Sequence, residues 1–539
     1  MNFNKLLILP CLFIVVESFA TNYYIDAISG NDSKNGRSKS NAWQTLTNIN
    51  KTTFLPGDKI LFHAGQSWIG TIKPQGSGAP GKPITIGKYG MGRNPALHGD
   101  GKTECSMDKT FSRFCTISLF NQQYWIIRDL EVTNFDPVEA GMTLDQWEKE
   151  NVTKYANVIL PPEYKGKNSR KFGIFIQGNN VGQLNSIHLI KLEVHGVNGD
   201  ITQRHTGGIY FRVFNTGKDI PTFFNDILVD SCYVHDVDRS GITNGSDYDN
   251  RTATVNTDWT PNLKFVIRNS IIRRTGGNGI TIRASQDAIV EHCLFDYCGI
   301  RTTGNALYPY NSDGTILQYN EARYTKANPG DEDAGGIDSD YKCRNTIIQY
   351  NYCHDNDFGM LVTGGPGNFN DGTIVRYNIF ERDGLIEREG HGKFAIRFAG
   401  SSTNTTFHNN MIYLGPKQDS TKIVYSKDWD STYADNSFFY NNIFYNEAPG
   451  GWYDFKKSTN NIFSNNAYYG KATNEPVDPN RVAGNLRLTN PGGGPAGYKL
   501  KPGSAAIGKG MPIKGSPAKD YYGNVIKSSA INIGIDQKK

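Results

Sequence analysis

A short motif, Gly-Ile followed by alternating residues, returns down the middle of the chain at Gly173-Ile174, Gly208-Ile209, Gly241-Ile242, Gly279-Ile280 and Gly336-Ile337. Looser copies stand at Ala306-Leu307, Gly359-Met360 and Ala395-Ile396. The copies lie roughly 23 to 38 residues apart, a spacing typical of units that cannot bury an apolar face alone and must stack on their neighbours. Each copy alternates like a half-buried strand. The outward residues of successive copies therefore form columns on one surface, and function is to be sought there.

A second series of strands falls between the first. It includes Leu228–Cys232, Val266–Ser270, Ile289–Cys293, Ile316–Asn320, Ile347–Asn351 and Ile374–Asn378, and runs on through Phe407–Asn410, Phe439–Asn442 and Phe463–Asn466. Each turn of the repeat thus carries at least two short strands in fixed order. Asn at repeated turn positions suits left-handed backbone and side-chain hydrogen bonding, and stacked Asn residues can form ladders. Long helical patterns are absent here, and nothing suggests hairpins of alternating direction. The pattern predicts an all-β, single-stranded right-handed parallel β-helix, the hand following from the general crossover preference.

Residues 1–20 read as a secretory signal, with Lys5, an apolar run from Leu6 to Val16, and small Ser18 and Ala20 before the cut. The mature chain is expected to be secreted and soluble, with no other stretch long enough to span a membrane. Residues 21–110 form the N-terminal cap and first coils, in which Trp43, Leu46 and Ile49 predict a short sealing helix. Residues 111–470 carry the β-helix, broken by an excursion between Pro137 and Asn168, and residues 471–539 form an irregular C-terminal cap. A net charge of +5 on 539 residues does not point to nucleic acid. Without the signal, seven of eight cysteines remain; Cys105 and Cys115 are close enough in sequence to bridge, while Cys232 and Cys293 read as small core residues.

Three regions resemble secreted right-handed β-helix proteins of the pectate-lyase-like superfamily, many of them active on polysaccharides. The first runs from Tyr23-Tyr24-Ile25-Asp26 through Ser29-Gly30-Asn31-Asp32, Asn35-Gly36 and Ala42-Trp43 to Pro56-Gly57-Asp58-Lys59-Ile60. The second is Pro83 to Gly90, and the third is Leu500 to Ile507 with Asp520 to Gly523 and Ile533-Gly534. The resemblance implies a polysaccharide partner and specifies fold more closely than reaction. The arginine-centred motif of pectate lyases and the complete polygalacturonase set are both missing; Gly390-His391-Gly392 and Arg397 resemble part of the latter, with the aspartates arranged differently.

Read in order, the outward pairs are Phe175/Gln177, Tyr210/Arg212, Thr243/Gly245, Thr281/Arg283, Tyr308/Tyr310, Asp338/Asp340, Leu361/Thr363 and Arg397/Ala399. Asp338 and Asp340 leave the same face with Cα atoms ~6.5 Å apart, which suits an acid and a base flanking a water in inverting glycoside hydrolysis. They are the expected catalytic pair, with His391, flanked by glycines, as a third candidate. Arg212, Arg283 and Arg397 are expected to hold anionic groups. Tyr308 and Tyr310 are expected to stack on sugar rings, and His354 to border the groove. No cofactor is required by this reading. The competing one places Ca²⁺ on Asp331 and Asp333, calcium being the usual aid to elimination in the superfamily that the chain resembles. A polysaccharide lyase and a non-catalytic glycan-binding β-helix are therefore the alternatives to a hydrolase of an acidic polysaccharide, and a monomer is expected.

Overall fold

The structure is a computed structural model that describes residues 20–538 except 107–111, 154–169, 329, 389 and 528. The expected signal segment, bar its last residue, lies outside the described residues. The chain coils through parallel strands, three to a turn where the sequence marked at least two. One turn, for example, runs through Gly207–Phe214, Phe223–Asp230 and Tyr233–Val237, each paired in parallel with its counterparts above and below.

The Gly-Ile strands are β1 (Arg170–Asn179), β2 (Gly207–Phe214), β3 (Ser240–Ser246), β4 (Ile280–Arg283), β5 (Leu307–Tyr310), β6 (Asp338–Ser339), β7 (Met360–Asp371) and β8 (Phe394–His408). β1 to β5 are consecutive neighbours in one sheet. The Leu307–Ile337 bridge carries the stack to β6, which pairs with β7, and β7 with β8. The glycine of the motif has a steric cause. A Cβ on Gly208 would sit 2.5 Å from Val234 Cγ1 and 2.7 Å from the Gly241 carbonyl oxygen. A Cβ on Gly241 would meet the Gly279 oxygen at 2.7 Å, so the close approach of one coil to the next recurs with the motif.

Inward residues build one long core, including Ile174, Ile209, Ile242, Ile280, Ile337 and Ile396. Beside it runs the expected asparagine ladder. Oδ1 of Asn351 accepts from Asn320 N at 3.0 Å, and the same bond passes from Asn351 to Asn378, Asn410, Asn442 and Asn466 at 2.9–3.0 Å. It ends on the Asp478 carboxylate, which takes Asn466 N at 2.9 Å. These side chains are buried and each satisfies a backbone donor that the turn would otherwise orphan. Left-handed backbone falls one residue earlier than the ladder asparagine, at Tyr319, Tyr350 and Tyr377 among others. Their rings stack outside the coil, Tyr319 on Tyr350 at 4.8 Å.

The N-terminal seal is bent, a 3₁₀ turn at Lys39–Asn41 followed by α1 (Thr47–Lys51), and it buries Trp43, Leu46 and Ile49 as expected. The excursion after Asn134 contains α2 (Pro137–Ala140) and α3 (Leu144–Thr153), with Trp147 buried against Phe135. The C-terminal segment wraps back along the coils: Leu486, Tyr498, Ile533 and Ile535 pack with Ile379, Met411 and Ile443, and Tyr498 Oη donates to Glu381 at 2.8 Å. Cys105 and Cys115 form a disulfide, and Cys232 and Cys293 are buried free thiols.

Candidate active site

Register places the outward columns as the alternation requires. Tyr210 pairs with Phe175 and Thr243, Thr281 with Tyr308, Asp338 with Leu361, and Leu361 with Arg397; on the neighbouring column Arg283 pairs with Tyr310. Pro309 keeps to the inward register opposite Ile282, so Tyr308 and Tyr310 do point outward. Ser339 is fully buried and its Oγ lies 3.0 Å from Thr373 Oγ1, which turns Asp338 and Asp340 on either side of it to the outer face.

The columns are not an open groove throughout. Phe175 and Tyr210 stack at 5.5 Å and are buried with Phe172, Phe214, Cys105 and Cys115. Gln177, the next outward residue, donates to the Cys105 carbonyl at 2.9 Å. The disulfide-bonded Cys105 and Cys115 therefore cover the N-terminal rungs. Arg212 is accounted for inside this roof, paired with Asp247 and laid over Phe214 at 5.1 Å; its expected role in substrate binding gives way to a structural ion pair.

The middle rungs carry the chemistry. Asn305 Nδ2 donates to Asp338 Oδ2 at 3.1 Å, while Oδ1 of the same carboxylate is buried without a hydrogen-bond partner among the described residues. Burial holds Asp338 well above the usual carboxylate range, and the charges of Asp340 and Asp333 push it further. Burial, then Asp333, lifts Asp340 to about 7, against the Tyr341 N–H that its Oδ1 accepts at 2.8 Å and the opposing charges of Arg283 and Arg204. Burial also raises Asp333, which faces Arg397, Arg204 and Arg239. Three carboxyls thus share one field, and protons are held among them at neutral pH.

Around them stand arginines. Arg397 is buried over the Phe394 ring at 4.9 Å, and its Nε and Nη1 have no hydrogen-bond partner among the described residues. Arg283 lies over Tyr310 at 4.4 Å, and Tyr310 meets Tyr341 edge-on at 5.0 Å. Tyr341 in turn reaches Trp429, exposed on its own turn, at 6.3 Å. Tyr308 is half-buried, and burial pushes its hydroxyl up to about 12. His205 lies parallel to Tyr210 at 5.7 Å; burial and then the charges of Arg283 and Arg212 keep it neutral.

Other expected members fall away from this cluster. His354 sits on a different sheet, held by Asp355 at 2.8 Å and Glu321 at 3.2 Å and stacked on Tyr352 at 4.2 Å, so it does not border the site. His391 stands beside Tyr425, with Lys427, Lys422 and Asp428 as its charged surroundings, and not beside the carboxyls. Asp331 closes its own turn by accepting from Asn328 N and Nδ2 at 2.7 and 2.9 Å, and burial lifts it to about 6. Glu332 pairs with Arg388. Glu332 is thus paired away, while Asp331 and Asp333 share the field of Arg239.

Sequence reasoning missed Asn305, Arg204, Arg239, His205, Tyr341 and Trp429. All lie in the connections between strands, where no periodicity marks them. Asp333 was noticed, but as a metal ligand.

A family model described as a right-handed β-helix region matches residues 222–412, a stretch that holds the three carboxyls and Arg397. The chain is a right-handed parallel β-helix. It is 25% identical over 489 residues to a lacto-N-biosidase of Bifidobacterium longum subsp. longum, an alignment covering 80% of this chain and 29% of that protein. The chain thus spans under a third of the length of this relative. The crystal structure of a GH136 lacto-N-biosidase from Eubacterium ramulus superposes with a TM-score of 0.57 at 20% identity, covering 76% of this chain and 67% of that one. Its selenomethionine derivative gives 0.57 at 21%. These likenesses establish the fold.

Proposed function

We propose that the chain is a glycoside hydrolase whose carboxyl cluster on β6 and the loop before it cleaves glycosidic bonds by acid–base chemistry. The observation that carries this reading is the buried, unpartnered Oδ1 of Asp338 beside two further carboxyls of raised pKa. Asn305 fixes Oδ2, which leaves Oδ1 to carry the proton and hand it to a leaving glycosidic oxygen. Asp340, more exposed and opposed by Arg283 and Arg204, is the partner that works ionised. Asp333 raises both, and the deeper burial of Asp338 keeps its proton the more firmly held. Tyr308, Tyr310, Tyr341 and Trp429 form an aromatic wall on which sugar rings stack.

The likeness to lacto-N-biosidases makes a lacto-N-bioside the first substrate to try. An acidic polysaccharide, expected from Arg283 and Arg397, has less support: both guanidiniums face aspartates, and that arrangement balances charge within the site. The roof over Phe175 and Tyr210 blocks the column toward the N-terminus, which suits attack near a chain end. Secretion follows from the sequence alone and stays part of the proposal.

The test is incubation with a chromogenic lacto-N-bioside, neutral oligosaccharides and polyuronates, following reducing ends and ultraviolet absorbance together. Reducing ends without absorbance are expected. Absorbance from an unsaturated uronate would make the protein a lyase, and binding without any product would make it a glycan-binding module.

A further inference from the structure

On the sheet that does not carry the carboxyls, the strands Glu193–Val197 and Tyr233–Val237 pair so that His195 lies directly opposite His235. Their rings are parallel within 10° at 4.8 Å. Each Nε2 faces a glutamate from the same column of the ladder, Glu131 at 3.4 Å for His195 and Glu193 at 3.3 Å for His235. Both Nδ1 atoms are left on the opposite side, where α3 crosses. There Glu148 Oε1 lies 2.6 Å from His195 Nδ1, and Asp236 Oδ2 lies 2.6 Å from His235 Nδ1. Donor atoms of Glu148, His195 and His235 lie within 4.8 Å of one another.

One feature of this arrangement suits a cation. Metal-binding histidines characteristically donate their other ring N–H to a carboxylate, which fixes the tautomer and the ring. Both histidines face a glutamate in that way through Nε2, and both Nδ1 atoms turn to the one side where Glu148 and Asp236 stand, so that a metal would replace the protons now shared there.

We propose that Glu148, His195 and His235 bind a Zn²⁺ ion, with water at the fourth position and Glu131 and Glu193 orienting the rings. Imidazole and carboxylate donors suit zinc better than calcium or magnesium. Tetrahedral ligands at zinc distances stand ~3.4 Å apart, so the two rings, now 4.8 Å apart, must tilt toward each other to bring their donor atoms onto one ion. The ion would clamp α3 to the coil. The same helix already docks through Asn151, which donates to Asp236 at 3.0 Å, and through Trp147, under the Arg301 guanidinium at 4.5 Å. Local ligand spacing is missing from the sequence because His195 and His235 come one coil apart and Glu148 comes from α3. This site is separate from the carboxyl cluster, and its test does not depend on any glycan being cleaved.

The experiment uses the mature chain, stripped with a chelator and dialysed, then titrated with Zn²⁺ alone by calorimetry and with Co²⁺ alone by visible absorption. About one equivalent of Zn²⁺ is expected to bind at micromolar affinity or tighter, raising the melting temperature, with Co²⁺ giving the absorption of a nitrogen- and oxygen-ligated four-coordinate ion. Glu148→Gln should weaken binding at least ~10-fold, Glu131→Gln by ~10–100-fold, and His195→Gln with His235→Gln should abolish it. Circular dichroism checks the fold of each variant; if the double variant fails to fold, Glu148→Gln decides, because it leaves both rings in place. No stoichiometric uptake by the wild-type chain, or uptake unchanged in Glu148→Gln, overturns the proposal.

Discussion

Asp340→Asn separates a catalytic carboxyl from a structural one by the sign of its effect on stability. The amide keeps the bond to Tyr341 N, because Oδ1 accepts there at 2.8 Å. What it removes is a carboxyl lifted from 3.8 to about 7 by burial and by Asp333. A folded-state pKa above the unfolded one means that the native protein binds this proton more tightly. Its contribution to stability is therefore full below about pH 4 and is lost as the pH rises through about 7. At ~1.4 kcal/mol per pH unit the upper limit is ~4 kcal/mol. Asp340 is half-buried, so solvent screening and relaxation reduce this to ~1–2 kcal/mol. The variant should melt higher than wild type at pH 7.5 and equal to it at pH 4, measured by scanning calorimetry in both buffers. Turnover should fall by ~10²–10⁴. A carboxylate kept as the structural partner of Arg283 predicts the reverse: lower melting at pH 7.5 with activity retained. That pair of results would refute the assignment.

Asp338→Asn should lower kcat by a similar ~10²–10⁴ and remove the alkaline limb of the pH–rate profile, since the group that must be protonated is gone. Arg397→Gln takes away a charge that lowers Asp338 and should move that alkaline limb upward, whereas Arg283→Gln should move the acid limb upward through Asp340; a rise in KM with both limbs fixed would mark the arginines as substrate ligands. Asn378→Ala strips the Asn351 N–H and the Ile348 carbonyl of buried partners at 2.9 and 2.8 Å and should cost ~2–5 kcal/mol, seen as a lower melting temperature with unchanged kinetics at permissive temperature.

The coil was legible because stacking repeats its steric demands. Each turn needs a small residue where β2 or β3 passes under the next coil, and each needs a ladder partner like Asn351 or Asn378, so glycine and asparagine recur in phase. The same periodicity placed Asp338, Arg283 and Tyr310 in adjacent columns with the correct facing. It could not say what covers those columns. Phe175 and Tyr210 face outward yet are buried, because the disulfide-bonded Cys105 and Cys115 pack over them with Phe172 and Phe214. Arg212 was misjudged for the same reason, its partner Asp247 lying in the connection after β3. Asn305, His205 and Arg239 sit in connections whose lengths vary from coil to coil, so no column counts them. His354 was read as a neighbour of the site because it precedes a Gly-Ile-type strand in sequence, but the intervening corner turns it onto another face.

The charge arrangement itself limits what the site can do. Arg204, Arg239, Arg283 and Arg397 surround Asp333, Asp338 and Asp340, and the carboxyls nevertheless keep raised pKa values, so burial outweighs the cations. A site of this kind can hold one carboxyl protonated next to one ionised at neutral pH, as hydrolysis of a glycoside requires. The unpartnered N–H groups of Arg397 and Oδ1 of Asp338 offer a donor set and an acid to the same small volume, a combination that fits the hydroxyls and the glycosidic oxygen of an uncharged sugar.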